Sequence, residues 1–161
     1  MIGLVCMKMN KLNNLLNSQL YLNLSTVSGG GEPWRTPLFF VFNKTENCFY
    51  WWSPENSQHS KNIKANPKCF ITIFDSHDKE GEGSGIYFTA EAEELKLTEN
   101  IQEATELYNK KAKTFKLSLS DCTGDAPTRI YRARMIKSWH NADAYDDNNK
   151  FYDVRKNLKI Q

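Results

Sequence analysis

Ser57, Gln58, His59 and Lys61 stand where an aromatic run, Cys48 to Trp52, has given way to the polar loop Ser53 to Asn56. The residues that follow, Ser57 to Ala65, read as a short helix. Asn66 closes it, because Pro67 restricts the residue before it to extended backbone. Ser57 is a favoured N-cap type. The first turn of a helix offers N–H groups without intrahelical partners and the positive end of the helix dipole. An imidazole, hydroxyls, an amide and an ammonium at such a tip form a seat for a phosphate. The competing reading is an ordinary capped surface helix.

The elements that must position this tip are mostly strands. Leu20 to Val27 alternates, with Leu20, Leu22, Leu24 and Thr26 on one side, as a half-buried strand does. Gly29 to Gly31 allow a tight reversal. Trp34 to Phe42 reads as the next strand, and Pro37 inside it implies an edge or a locally broken ladder. From Leu38 to Phe42 every residue is apolar, so both faces must be covered, one by the core and the other by a partner subunit or a ligand. Cys48 to Trp52 returns after a turn at Lys44 to Asn47. Trp51 and Trp52 point to opposite faces, which makes one of them a rim at a subunit interface or a wall beside a planar ring.

Beyond Pro67, Lys68 to Ser76 is a strand rich in β-branched and aromatic residues. His77 to Gly85 is a polar hairpin loop whose acidic residues and His77 match no metal-ligand spacing. Ile86 to Leu97 reads as a long strand. Thr98 caps a helix with Ile101, Ala104, Leu107, Tyr108 and Ala112 on its apolar face. Glu103, Glu106, Lys110, Lys111 and Lys113 read as the solvated face. Arg129 to Trp139 is the last long strand, with Arg132 and Arg134 in line for surface salt bridging. His140 to Lys150 is polar, and Phe151 to Ile160 adds a short strand. Near the start, Leu12, Leu15 and Leu16 make one face of a short helix. The sum is mainly β with small α additions, a six-stranded antiparallel Greek-key barrel with two to three short helices.

Composition narrows the partners. At 161 residues with 40% apolar and 25% charged residues, positions 1–161 read as a single soluble domain. A net charge of +2 is too small to imply nucleic acid or an anionic membrane. Cys6, Cys48, Cys69 and Cys122 form no C-x-x-C pair, which points to buried thiols in a reduced, cytoplasmic setting and to no metal site. The apolar stretch over residues 1–9 is too short for a signal peptide or a membrane span, and Met7 and Met9 leave a later start open.

The ordered series YLNLSTVSGGGEPWRTPLFFVF, CFYWWSPENSQHSKNIKANPKCFITIFDS and GSGIYFTAEAEEL resembles the pyridoxamine 5′-phosphate oxidase-like family of FMN-binding split barrels. The resemblance runs from Asn14 to Leu95 and, more faintly, over Arg129 to Trp139. It implies a homodimer with FMN at the interface and a small-molecule substrate. It places the flavin ring along Thr36, Pro37, Leu38 and Phe39, with Trp52 and Ser53 touching the cofactor. Ser57, Gln58 and His59 match the phosphate-binding segment, Lys61 follows on the same turn, and Trp139 matches a tryptophan near the C-terminus. Gln58-His59 stands where the oxidases carry Arg-Lys, the oxidases have a lysine near the position of Val41, and the tail FYDVRKNLKI lacks their Arg-x-His segment. The resemblance therefore implies a flavin-dependent oxidoreductase rather than vitamin B6 oxidation, with no side chain assigned as acid or base. A flavin binder without turnover is the alternative on the same fold, and FAD, a deazaflavin or haem are alternative occupants. The rival from another class is a single-stranded nucleic-acid binder stacking bases on Trp34, Trp51 and Trp52. Scattered Lys and Arg argue against it.

Overall fold

Side-chain alternation sets which face of each strand turns inward. The computed structural model describes residues 14–80, 83, 85–145 and 147–159. Its strands are β1 (Tyr21–Val27), β2 (Pro33–Phe39), β3 (Val41–Asn43), β4 (Cys48–Pro54), β5 (Lys68–Phe74), β6 (Gly85–Glu94), β7 (Thr128–Tyr145) and β8 (Phe151–Asn157). Two helices, α1 (Gln58–Ala65) and α2 (Thr98–Lys111), join them, with a helical turn at 14–18 and a 3-10 turn at Leu119–Asp121. Residues 1–9, and the first part of the helix expected before β1, lie outside the described residues.

All strand pairs are antiparallel, in the order β2-β1-β5-β6-β7-β4-β3, with β8 added to β7. The two ends of this order, β2 and β3, are consecutive in the chain and separated by Phe40 alone. The sheet thus begins and ends on one run of chain and curls into a split barrel. The strand expected over Trp34 to Phe42 is this run, changing partners at Phe40 from β1 to β4. With β2 and β3 taken as its halves the barrel has six strands, and β8 is an addition to it. The glycine reversal before β2 is closed by Ser28 and Glu32, whose backbones bond at 2.9 Å, and only Gly31, at φ 87°, needs the left-handed backbone that glycine tolerates.

The inner core comes from alternate residues: Leu22 and Leu24 of β1, Phe49 and Trp51 of β4, Ile71 and Ile73 of β5, Ile86 and Phe88 of β6. A second cluster lies outside the barrel. There α2 lays Ile101, Ala104 and Tyr108 against Val41, Cys48, Tyr50 and Ile130. This corrects the expectation that a partner or ligand covers the second face of Leu38 to Phe42. The chain's own α2 covers Phe39 and Val41, while Leu38 and Phe40 join the inner core. The buried run Cys48–Trp51 has the same cause, since β4 carries a helix on one side and the barrel interior on the other.

Three further expectations change. Thr98 is the first helical residue rather than the cap: Leu97 takes the cap position, with no side-chain cap bond. The polar stretch from His140 continues β7 to Tyr145 and pairs with β8, so backbone pairing carries the strand where the sequence shows no apolar alternation. Lys111 leaves the solvated face of α2 and lies with its amine 3.9 Å from the centre of the Phe40 ring. Among the described residues no helix is long and apolar enough to cross a membrane.

Candidate functional site

The chain leaves β4 at Ser53 and Pro54 and turns at once into α1. The turn is closed by the Ser57 N–H, which donates to the Pro54 carbonyl at 3.2 Å. Ser57 is extended, at φ −66° and ψ 154°, and its hydroxyl accepts from the Ser60 N–H. The expected N-cap is therefore in place. The Ser57 hydroxyl donates to Ser60 Oγ at 2.8 Å, and the Ser60 hydroxyl donates to the Pro54 carbonyl at 2.9 Å. Both hydroxyl protons are then committed, so Ser57 Oγ can only accept from His59, whose Nε2 lies at 3.1 Å. The same ring nitrogen is 3.0 Å from Ser53 Oγ.

His59 is 5% exposed, and Ser53 and Ser60 are buried beside it. Burial holds the imidazole below its ordinary pKa of 6.5, so it is neutral at pH 7. His59 acts as a bracket between the end of β4 and the first turn of α1. It is not a cation facing outward. One turn further along the same buried side, Asn62 Nδ2 donates to Thr26 Oγ1 at 3.0 Å, a buried bond that ties α1 to β1. Gln58 donates to Asn62 Oδ1 at 2.8 Å, and Ile63 enters the inner core. The helix tip is thereby held from three sides before any ligand arrives.

Lys61 projects into a cleft of about 610 Å³ that Asn56, Ser60, Lys64 and Tyr131 also line. Glu55, Glu93 and Glu94 border it too, but each carboxylate is already occupied. Arg129 lies 3.4 Å from Glu55 and 3.6 Å from Glu94, Arg132 is 2.6 Å from Glu93, and Lys96 also pairs with Glu94. Lys61 and Lys64 have no ion pair among the described residues. The cleft therefore presents two uncommitted ammonium groups, Lys61 just behind the first turn of α1 and Lys64 in its last turn, and an anion suits that balance.

The remaining expected residues fall in three places. Thr36 and Pro37 lie on β2, which among the described strands pairs with β1 alone, so its other edge is a sheet edge there. Thr36 accepts from the Trp34 indole at 3.0 Å. Leu38 is buried inward, and Phe39 packs on Tyr108 with ring centres 5.0 Å apart. Trp52 is half-buried and stacks on Phe115 at 5.3 Å. Its indole N–H, like that of Trp51, is buried with no acceptor among the described residues. Trp139 pairs with Tyr87 and Asn157, ten residues along β7 from Arg129, the partner of Ser53. The fold brings Ser53, Ser57, Gln58, His59 and Lys61 together and keeps Trp139 of the same chain about 30 Å away along the strand.

Ser60 was expected in the first turn as one of the seat's hydroxyls, whereas Asn62, Thr26 and Tyr131 were not singled out as site residues. Thr26 had a visible signal, an inward position in the alternation of β1. Asn62 lies four residues after Gln58, on a helix whose buried side includes Ile63, and a polar residue there needs a partner.

A family model described as pyridoxamine 5′-phosphate oxidase matches residues 9–136. A search of curated proteins found no match by sequence. Among solved structures, the heme storage protein HutZ of Vibrio cholerae aligns with a TM-score of 0.67 at 17% identity, over 77% of this chain and 87% of that one. A candidate 5-nitroimidazole antibiotic resistance protein from Bacteroides thetaiotaomicron gives 0.67 at 11%, over 81% of each chain. A FAD-binding protein from Mesorhizobium loti gives 0.61 at 16%, over 81% and 91%. At these identities the structural likeness speaks for the fold alone, while the family match spans most of the sequence. With a split barrel whose helix tip follows β4, the chain belongs to the pyridoxamine 5′-phosphate oxidase-like family.

Proposed function

We propose that two copies of this chain bind FMN between them and act as a flavin-dependent oxidoreductase on a small molecule. The observation that carries this is the α1 tip, pre-ordered by Ser57, His59 and Asn62, beside a cleft into which the unpaired Lys61 and, from the last turn, Lys64 project. The donor set fits a phosphate through the first-turn N–H groups and the two ammonium groups. His59 contributes by holding the tip, not by charge. The free edge of β2 at Thr36 and Pro37 offers peptide groups to the polar rim of a flavin. Bound flavin would supply the electron or hydride chemistry, and the protein would orient it and keep water away. Likeness to proteins described as FAD-binding and as heme storage supports a planar cofactor on this fold.

A second reading, flavin binding without turnover, is favoured by the sealed state of His59 and the paired carboxylates of the cleft. Among the described residues they leave no unpaired carboxylate or imidazole facing it.

Titration of the purified protein with FMN and with riboflavin, followed by flavin fluorescence, tests the phosphate seat. FMN should bind more tightly than riboflavin. Exchanging both Lys61 and Lys64 for Ala should cost about tenfold or more in FMN affinity, the scale of a charge-assisted contact, and leave riboflavin unchanged. Equal affinities for the two flavins would remove the seat from α1. Reduction of the bound flavin by NADPH or NADH then separates an oxidoreductase from a binder.

A further inference from the structure

Lys111 occupies a position that neither the fold nor the flavin reading explains. It lies in the last turn of α2, beside Lys110 and close to Lys113, which are exposed. Lys111 instead turns inward. Its Nζ donates to the Gln19 carbonyl at 2.7 Å and sits 3.9 Å from the centre of the Phe40 ring and 5.8 Å from that of Phe39. No carboxylate is within ion-pair distance among the described residues. The amine is stabilised by one carbonyl and two aromatic faces, which is poor compensation for lost hydration.

The amine borders a cavity of about 290 Å³ with a distinct chemical character. Its walls are Leu20, Tyr21, Phe39, Tyr108 and Phe115, and its rim carries Lys113 and Thr114. The titratable groups facing Lys111 there are Tyr21, Tyr108 and Lys113, and the lining holds no carboxylate. The volume suits one aromatic ring, at the low end of ligand pockets. Aromatic walls select a flat, apolar body, and Lys111 among the lining residues selects an electrophile or an anion.

We propose that this cavity captures a small aryl aldehyde, with Lys111 forming an imine to its carbonyl carbon. In the step, the unprotonated Nζ adds to the carbonyl carbon and a C–N bond forms. The carbonyl oxygen then leaves as water with the two amine protons, so aldehyde and amine give imine and water, with no oxidant or reductant. Burial supports this by pulling the Lys111 pKa from 10.5 down to about 8. At pH 8 about half of the Lys111 amines are then neutral, against about one in 300 for a lysine at its ordinary value. The cavity lies against α2 and away from the tip of α1, and it shares Phe39 with the strand on which the flavin reading draws.

The full-length chain, incubated at pH 8 with salicylaldehyde and cyanoborohydride, gives the test. The reductant delivers hydride to the imine carbon, a proton goes to nitrogen, and the adduct is fixed as a secondary amine for peptide mapping. Lys111 should be trapped at least tenfold faster than Lys110 or Lys113 in the same molecule. Its rate should reach half its maximum near pH 8, while the neighbours continue to rise. Propanal, which has no ring, should show a smaller preference. K111R should lose the fast site and leave trapping at Lys110 and Lys113 unchanged. Equal rates at the three lysines of the unmodified chain would overturn the proposal, and that comparison holds even if K111R fails to fold.

Discussion

Burial changes what His59 can do. At the tip of a helix a protonated imidazole would face the helix dipole, and in this fold it would also be shut away from water beside Ser53 and Ser57. The neutral ring is the form that the site stabilises. The direction of the pH effect follows from the lowered pKa. Once the chain unfolds, His59 regains its ordinary 6.5 and takes up a proton more readily than the folded state does. The stabilising effect is therefore complete above about pH 6.5 and is lost as the pH falls from there toward the lower folded value. H59Q retains an amide able to bond Ser53 and Ser57 but cannot titrate. Urea midpoints at pH 7.5 and 5.5 should drop more for the unmodified protein than for H59Q. Parallel drops would mean that His59 is not the group responsible.

At the scale of elements, α1 is held by one buried polar bond and one apolar side chain. Asn62 reaches Thr26 on β1, and Ile63 enters the barrel. N62A leaves the Thr26 hydroxyl buried without its donor and should cost about 1–3 kcal/mol, read as a lowered urea midpoint at constant slope. Because the same bond fixes the tip, FMN affinity should fall as well; a loss of stability with unchanged affinity would separate the anchor from the seat. The N-cap at Ser57 and the stop before Pro67 were legible because they follow from residue type and backbone sterics. So were β1, from its alternation, and β5, from its β-branched and aromatic content. The docking of α2 over β3 and β4 was not, since an apolar helix face does not name the strand it will meet. The second half of β7 was hidden by its polarity, and Lys110 and Lys111 look alike until α2 is docked. Of the site, the tip itself was readable from sequence, while the bracket at Ser53 and the tie to Thr26 needed the β4-to-α1 turn and the β1 contact.

The shape of the whole molecule bears on how many chains a site requires. Ser53 pairs with Arg129 at one end of β7, and Trp139 lies ten residues further along it. About 30 Å of strand separates them, too far for both to touch one flavin from a single chain. If Trp139 belongs to the site, it must come from a second copy, related by a two-fold axis that builds two equal sites. The chain should then sediment as a dimer. K61A and W139A each damage both sites of their own homodimers, in different subunits of each site. When the two variants are mixed and allowed to exchange, half of the dimers become mixed, and each of these regains one site with both residues intact. About a quarter of all sites should recover full FMN affinity, although neither parent shows any. Recovery of this size, lost when exchange is blocked by cross-linking before mixing, would place Lys61 and Trp139 of different chains on one ligand. Exchange without recovery would put Trp139 outside the site and leave the flavin to the α1 tip and the β2 edge alone.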